Sequence, residues 1–150
     1  MRFAALFFLA FSFEIVPVAA QSACSPEEKI VWSCKNQKNT YVVCASGDLS
    51  QTSGYLQYRV TKAAKPVLTF PVSRIHPVGI FSFALLARGA TLTFENSGYR
   101  YQMFEGLEGT PALAVSKDGK HLNTVQCADS HYTLTLTDTI NLLQAAGVGK

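Results

Sequence analysis

Thr91-Leu92-Thr93-Phe94-Glu95 and Tyr99-Arg100-Tyr101-Gln102-Met103-Phe104 flank Asn96-Ser97-Gly98. Apolar and polar side chains alternate on both sides of the break, which is the period of a strand. The glycine stands where a tight turn needs a positive φ. The segment therefore reads as a β-hairpin, with Tyr99, Tyr101 and Met103 on one face and Arg100, Gln102 and Phe104 on the other. Downstream, residues 112–117 and 120–127 flank Asp118-Gly119, the strongest turn dipeptide in the chain. Upstream, residues 55–61 send Leu56, Tyr58 and Val60 one way and Gln57, Arg59 and Thr61 the other. Ile30, Trp32 and Cys34 alternate with Val31 and Ser33, and Tyr41, Val43 and Ala45 with Val42 and Cys44, across a polar loop at 35–40. Residues 67–70 form a short strand ended by Pro71. Residues 80–86 are apolar on both faces, so that strand is expected to be central or covered on both sides.

About nine strands at spacings near 8–12 residues, with no helical crossover between them, predict an all-β fold. The expected architecture is an antiparallel β-sandwich or barrel with a short C-terminal helix. Thr137 or Asp138 is expected to cap that helix, Ile140, Leu143 and Ala146 to share its face, and Gly147 to stop it.

The 150 residues suffice for one domain. Only 15% are charged, against about 25% in ordinary usage, and the net charge is +3. That argues against a nucleic-acid binder, a coiled coil, a collagen or a multidomain enzyme. Residues 1–20 read as a signal peptide: Arg2, an apolar run over 3–13 interrupted by Ser12, then Glu14, Pro17 and Val18-Ala19-Ala20. The run is about half the ~20 residues that a membrane-spanning helix needs. Residues 21–150 are expected to form a single disulfide-stapled β domain, periplasmic or secreted. Gln21-Ser22-Ala23-Cys24 also offers a small residue before a cysteine, the pattern of a lipid anchor at Cys24.

Export places Cys24, Cys34, Cys44 and Cys127 in an oxidising compartment, where thiols pair, which argues against a catalytic cysteine. A hairpin turn at 35–40 sets Cys34 and Cys44 roughly 10 Å or more apart, too far for a bridge, whose Cα atoms lie within about 4.4–6.8 Å. Two patterns remain. One is Cys34–Cys127 with Cys24–Cys44, the first closing a loop of about 93 residues for roughly 4 kcal/mol. The other is Cys24–Cys34 with Cys44–Cys127.

Catalytic signals are sparse. His76, His121 and His131 are far apart in sequence and none has zinc-finger spacing to a cysteine, so no metal is expected. There is no Gly-x-Ser-x-Gly elbow and no phosphate-cradling glycine loop, so no cofactor is expected. Glu95, Glu105, Glu108, Asp118 and Asp129 lie in or beside turns and read as solvated charge. Tyrosine and arginine, in contrast, are the residues that protein interfaces overuse. Candidate partner-binding residues are Tyr99, Arg100 and Tyr101 on the hairpin, and Tyr55 and Arg59 on the outward face of their strand. Arg74 and His76 belong to the same set, bracketing Ile75 in a proline-held loop at 71–79.

The stretch from Trp32 to Cys44, with Ser33-Cys34 and Val43-Cys44 around a lysine-bearing turn, resembles the opening of a family of small exported proteobacterial proteins. Gly54-Tyr55-Leu56-Gln57-Tyr58-Arg59, Tyr99 to Tyr101, and Asp118-Gly119-Lys120 leading to Cys127 are similar to that family's later strands and hairpins. The resemblance implies a periplasmic protein of the immunity or inhibitor kind. Ser97-Gly98-Tyr99-Arg100-Tyr101 is also similar to the Ser-Gly-x-x-Tyr loop of periplasmic c-type lysozyme inhibitors, which implies contact roles for Ser97 and Tyr101. The companion Lys-Gly segment is unmatched, because Gly106 and Gly109 lack a preceding lysine. The expected function is a non-enzymatic binding protein that blocks a peptidoglycan-directed enzyme or toxin. The alternative is a structural envelope protein or a carrier of a small apolar ligand.

Overall fold

The computed structural model describes residues 23–149; the signal-peptide reading lies outside them. Nine strands and one helix follow in order: β1 Lys29–Lys35, β2 Asn39–Ala45, β3 Leu56–Lys62, β4 Lys65–Phe70, β5 Phe81–Leu86, β6 Gly89–Asn96, β7 Tyr99–Gly106, β8 Ala112–Lys117, β9 Lys120–Gln126 and α1 Thr137–Ala145. They make two antiparallel meanders, β1-β2-β3-β4 and β5-β6-β7-β8-β9. The all-β expectation with a C-terminal helix is met.

Most strands turn an apolar face to the other sheet, whereas β9 contributes only the partly buried Val125. Trp32, Val43, Leu56 and Tyr58 from the first sheet share one core with Phe83, Leu92, Phe94, Met103 and Leu113 from the second, and Leu134 and Leu143 join from the C-terminal segment. Phe94 is the aromatic hub. Its ring stacks on Tyr101 at 4.7 Å and on Phe70 at 4.8 Å, and tilts against Tyr58 at 5.0 Å. Such pairs add roughly 0.5–1.5 kcal/mol each beyond area burial.

Of the two disulfide patterns left open, the structure has Cys24–Cys44 and Cys34–Cys127, with Cα separations of 5.6 and 5.0 Å. The register explains why Cys34 and Cys44 stay apart: Cys34 faces Tyr41 at one end of the hairpin and Cys44 faces Ile30 at the other. The Cys24 sulfur is thus bonded to Cys44, and a lipid thioether would need the same atom.

Three expectations are corrected. The strand at 80–86 is not central: β5 is an edge of the five-stranded sheet, with Leu85 and Leu86 exposed. Its outer edge is met instead by the C-terminal tail, through a bridge from Phe83 to Gly149 and a hydrogen bond from the Phe83 amide to the Val148 carbonyl. The helix cap is Leu136, not Thr137 or Asp138, and no side chain caps it. Gly147 does end the helix, at φ +74°. The third correction concerns Glu105. It is fully buried, not solvated, and its carboxylate is satisfied by the segment leading into α1. Oε2 accepts the amides of Thr133 and Leu134 at 3.2 Å, and Oε1 accepts the Thr135 amide at 2.9 Å and hydroxyl at 2.6 Å.

Candidate protein-binding surface

Between β4 and β5 the chain runs through Pro71-Val72-Ser73-Arg74-Ile75-His76-Pro77-Val78-Gly79. Prolines at both ends are buried, while three branched aliphatics stand in solvent: Val72 at 85%, Ile75 at 47% and Val78 at 52% exposure. Monomeric proteins scatter single exposed aliphatics, but three in one loop of nine residues form a local apolar surface.

The loop is tied down along its length. The buried Gln57 amide donates to the carbonyls of Pro71 at 2.9 Å and Val72 at 3.2 Å. The Arg74 guanidinium lies over the Tyr55 ring, 5.1 Å from its centroid. His76 Nε2 donates to the Ser50 carbonyl at 2.9 Å. The Pro77 carbonyl accepts the amides of Ile80 and Phe81, both at 3.0 Å. A loop fixed at four places loses little conformational entropy when it docks.

Beneath it lies an ion pair that the alternation pattern alone does not disclose. Arg59 was expected to face outward toward a partner. It does point away from the core, but the N-terminal arm covers it, anchored by Cys24–Cys44. Its guanidinium holds Glu28 bidentately, at 2.6 and 2.7 Å, and also donates to the Ala23 carbonyl at 3.0 Å and to Gln57 Oε1 at 2.7 Å. Tyr55 donates its hydroxyl to Glu28 Oε1 at 2.7 Å. Glu28 is 2% exposed and Arg59 16%. Burial by itself would raise the Glu28 carboxyl; the bonds from Arg59, the Ser25 amide and Tyr55 overcome it and bring the group down to about 2. Burial, then the Glu28 carboxylate, push the Tyr55 hydroxyl up. The chain Glu28–Arg59–Gln57 thus links the arm to the base of the loop.

The structure brings Tyr55, Arg59, Arg74 and His76 together around this loop. Tyr99, Arg100 and Tyr101 form a second group. Arg100 pairs with Glu95 at 3.4 Å, both well exposed, and Lys117 sits 4.8 Å from the centroid of the Tyr99 ring. Tyr101 is wedged into the aromatic core beside Phe94 and Tyr58. An open cleft of about 450 Å³ joins the two groups, with Gly79 and Ile80 on the loop side and Glu95 and Arg100 on the hairpin side. Val72, Val78, Gln57 and Glu28 escaped the sequence reading: only three-dimensional packing shows which polar groups are mutually satisfied and which aliphatics stay uncovered.

Among the described residues, one cluster has metal-ligand composition, Cys24, Glu28 and Cys44, and its two sulfurs are bonded to each other. No described helix is long and apolar enough to cross a membrane. The fold and surface together define a two-sheet, doubly disulfide-linked β protein with a tethered apolar loop, and the disulfides point to an oxidising compartment. No family model, curated protein or solved structure matches the chain.

Proposed function

We propose that the chain is a periplasmic or secreted binding protein that blocks a cell-wall-degrading enzyme, with the 71–79 loop as the element that enters the enzyme's cleft. The observation that carries this reading is the contrast within the loop: Val72, Ile75 and Val78 uncovered, their backbone anchored by Gln57, His76, Arg74 and Pro77. Rigid loops with exposed aliphatic tips suit steric blockade, because the ordering cost is met on folding. Arg74 adds a cation beside the apolar tip, and glycan-cleaving enzymes carry a pair of carboxylates in their clefts. The leader-like N-terminus, the two disulfides and the resemblance to periplasmic immunity and inhibitor proteins support the same compartment and target class.

The test is capture and inhibition. The full mature chain, immobilised, is expected to retain a peptidoglycan hydrolase from periplasm or from a competitor's secreted fraction, and to inhibit it. Ile75→Asp and Arg74→Glu should each weaken inhibition by about 30-fold or more, the scale of an interface hot spot. Inhibition that survives both changes would remove the loop from the mechanism. Retention of no hydrolase by the folded wild-type chain would remove the function.

A further inference from the structure

The four strands of the first sheet contain no aspartate or glutamate. Their lysines are gathered unevenly. Lys35 ends β1, Lys38 sits in the β1–β2 loop, and Lys62 and Lys65 pair directly across the β3–β4 turn. The register sets Thr40 opposite Lys35, and Asn39, the neighbour of Lys38, opposite Lys62, so all four cations share one end of the sheet. All four are exposed, and none belongs to an ion pair among the described residues. The carboxylate that the register brings beside them is that of Asp129, whose backbone bridges to Lys35, and one carboxylate leaves most of this charge uncompensated. Like charges set directly opposite, as in Lys62 and Lys65, also destabilise a strand pair.

The same end carries an apolar tip. Ala63, Ala64, Pro66 and Val67 are exposed, Val67 at 63%, between and beside Lys62 and Lys65. Ala63 and Ala64 hold φ of 48° and 62°, where asparagine and glycine would turn the chain with less strain. Repelling lysines and strained alanines do nothing for the fold, and both face outward at one place. Apolar groups framed by cations match a surface with anionic groups outside and hydrocarbon beneath. We infer that this end of the molecule docks reversibly on an anionic phospholipid bilayer, the lysines meeting phosphates and the tip entering the boundary between headgroups and acyl chains. A soluble polyanion would pair with the lysines but would have no use for the tip. β4 runs from Lys65 to Phe70 and leads straight into the 71–79 loop, so the docking end and that loop lie at opposite ends of one strand. The inference is therefore separate from the loop surface and stands whether or not that surface binds an enzyme.

The experiment sediments the mature chain with vesicles of phosphatidylglycerol and phosphatidylcholine in equal parts, or of phosphatidylcholine alone. Binding to the mixed vesicles is expected to be saturable and about tenfold tighter or more than to the neutral ones. Raising the salt from about 0.1 M to about 1 M, which shortens the screening length from about 10 Å to about 3 Å, should release the chain. Lys62→Gln with Lys65→Gln should weaken binding about 25-fold, at about fivefold per lysine. Lys29→Gln, at the opposite end of β1, should leave it within about twofold. Ala63→Asn with Ala64→Gly keeps every charge and relieves the turn, yet should weaken binding about threefold by making the tip polar. Equal binding to both kinds of vesicle, binding that survives high salt, or a Lys29→Gln loss as large as that of the paired lysine variant would each overturn the assignment. Unchanged affinity in the alanine variant would overturn it too, and would make the patch a site for soluble polyanions instead of a bilayer.

Discussion

Replacing Glu105 by glutamine alters one atom in the most demanding polar site of the core. The wild-type carboxylate receives four hydrogen bonds from Thr133, Leu134 and Thr135 with no water-facing surface of its own. Glutamine preserves the volume and the bonds to Oε1 but sets an amide NH₂ against the N–H groups of Thr133 and Leu134. Two bonds to a charged acceptor are lost, worth about 1.5–3 kcal/mol each. The loss is partly offset because a neutral amide is cheaper to bury than a carboxylate. Flipping the amide moves the clash to Thr135, where the hydroxyl is able to turn and accept but the backbone N–H is not. The net destabilisation is therefore about 2–4 kcal/mol. Thr135→Val, which removes one bond and keeps the carboxylate, should cost only about 1–2 kcal/mol. Urea unfolding at pH 7 reports this cleanly through Trp32, the single tryptophan and fully buried. At about 1–3 kcal/mol per molar urea, the Glu105→Gln midpoint should fall by about 0.7–4 M. Amide exchange should accelerate first over 133–149, the segment that the carboxylate retains. A Glu105→Gln chain within about 1 kcal/mol of wild type, or a Thr135→Val chain that is the less stable of the two, would refute the clasp.

Two further outcomes follow from the same geometry. The Glu28 carboxyl titrates at about 2 in the folded chain, below its ordinary value near 4.3, so its pairing stabilises above that ordinary value and is lost as pH falls toward 2. The stability gap between wild type and Glu28→Gln, on the order of 1–2 kcal/mol after solvent screening on the Arg59 side, should hold above about pH 5 and shrink below it; a gap that persists unchanged to pH 2.5 would contradict the pairing. The β3–β4 turn holds Ala63 and Ala64 at φ 48° and 62°, a conformation costing an L-residue roughly 1–2 kcal/mol. Ala63→Asn with Ala64→Gly supplies the turn's preferred pair and should raise the unfolding midpoint by about 1 kcal/mol of stability or more, whereas no gain would show that the alanines are not strained there.

Those alanines also show where sequence reading stops. Most strands were legible because they carry one apolar face, and β9, which does not, because Asp118-Gly119 marks the turn before it. Ala63-Ala64 sends no such signal, so β4 seemed to begin at Val67 and not at Lys65. The edge position of β5 was hidden for a different reason. Apolar residues on both faces suggest double coverage, but the tail around Gly149 covers its edge while Leu85 and Leu86 stay exposed. Glu105 was within reach: the alternation that turns Tyr101 and Met103 inward turns Glu105 inward too, and only its place beside Gly106 made it look like turn charge.

The candidate surface teaches the harder lesson. Tyrosine and arginine mark interfaces because each couples a large contact area to a polar tip, but those same tips also satisfy one another inside a fold. Arg59 and Tyr55 both end on Glu28, and the Arg74 guanidinium rests on the Tyr55 ring. Alternation gives the direction of a side chain and not what lies above it, and above Arg59 lies an arm held by a disulfide whose partner cysteines are twenty residues apart in sequence. What such internal pairing leaves for a second molecule is the part of the surface with no use within the chain. Here that remainder is aliphatic at the loop, where Val72, Ile75 and Val78 stay exposed. The unsatisfied remainder, more than residue type, is what separates a binding surface from a structural one.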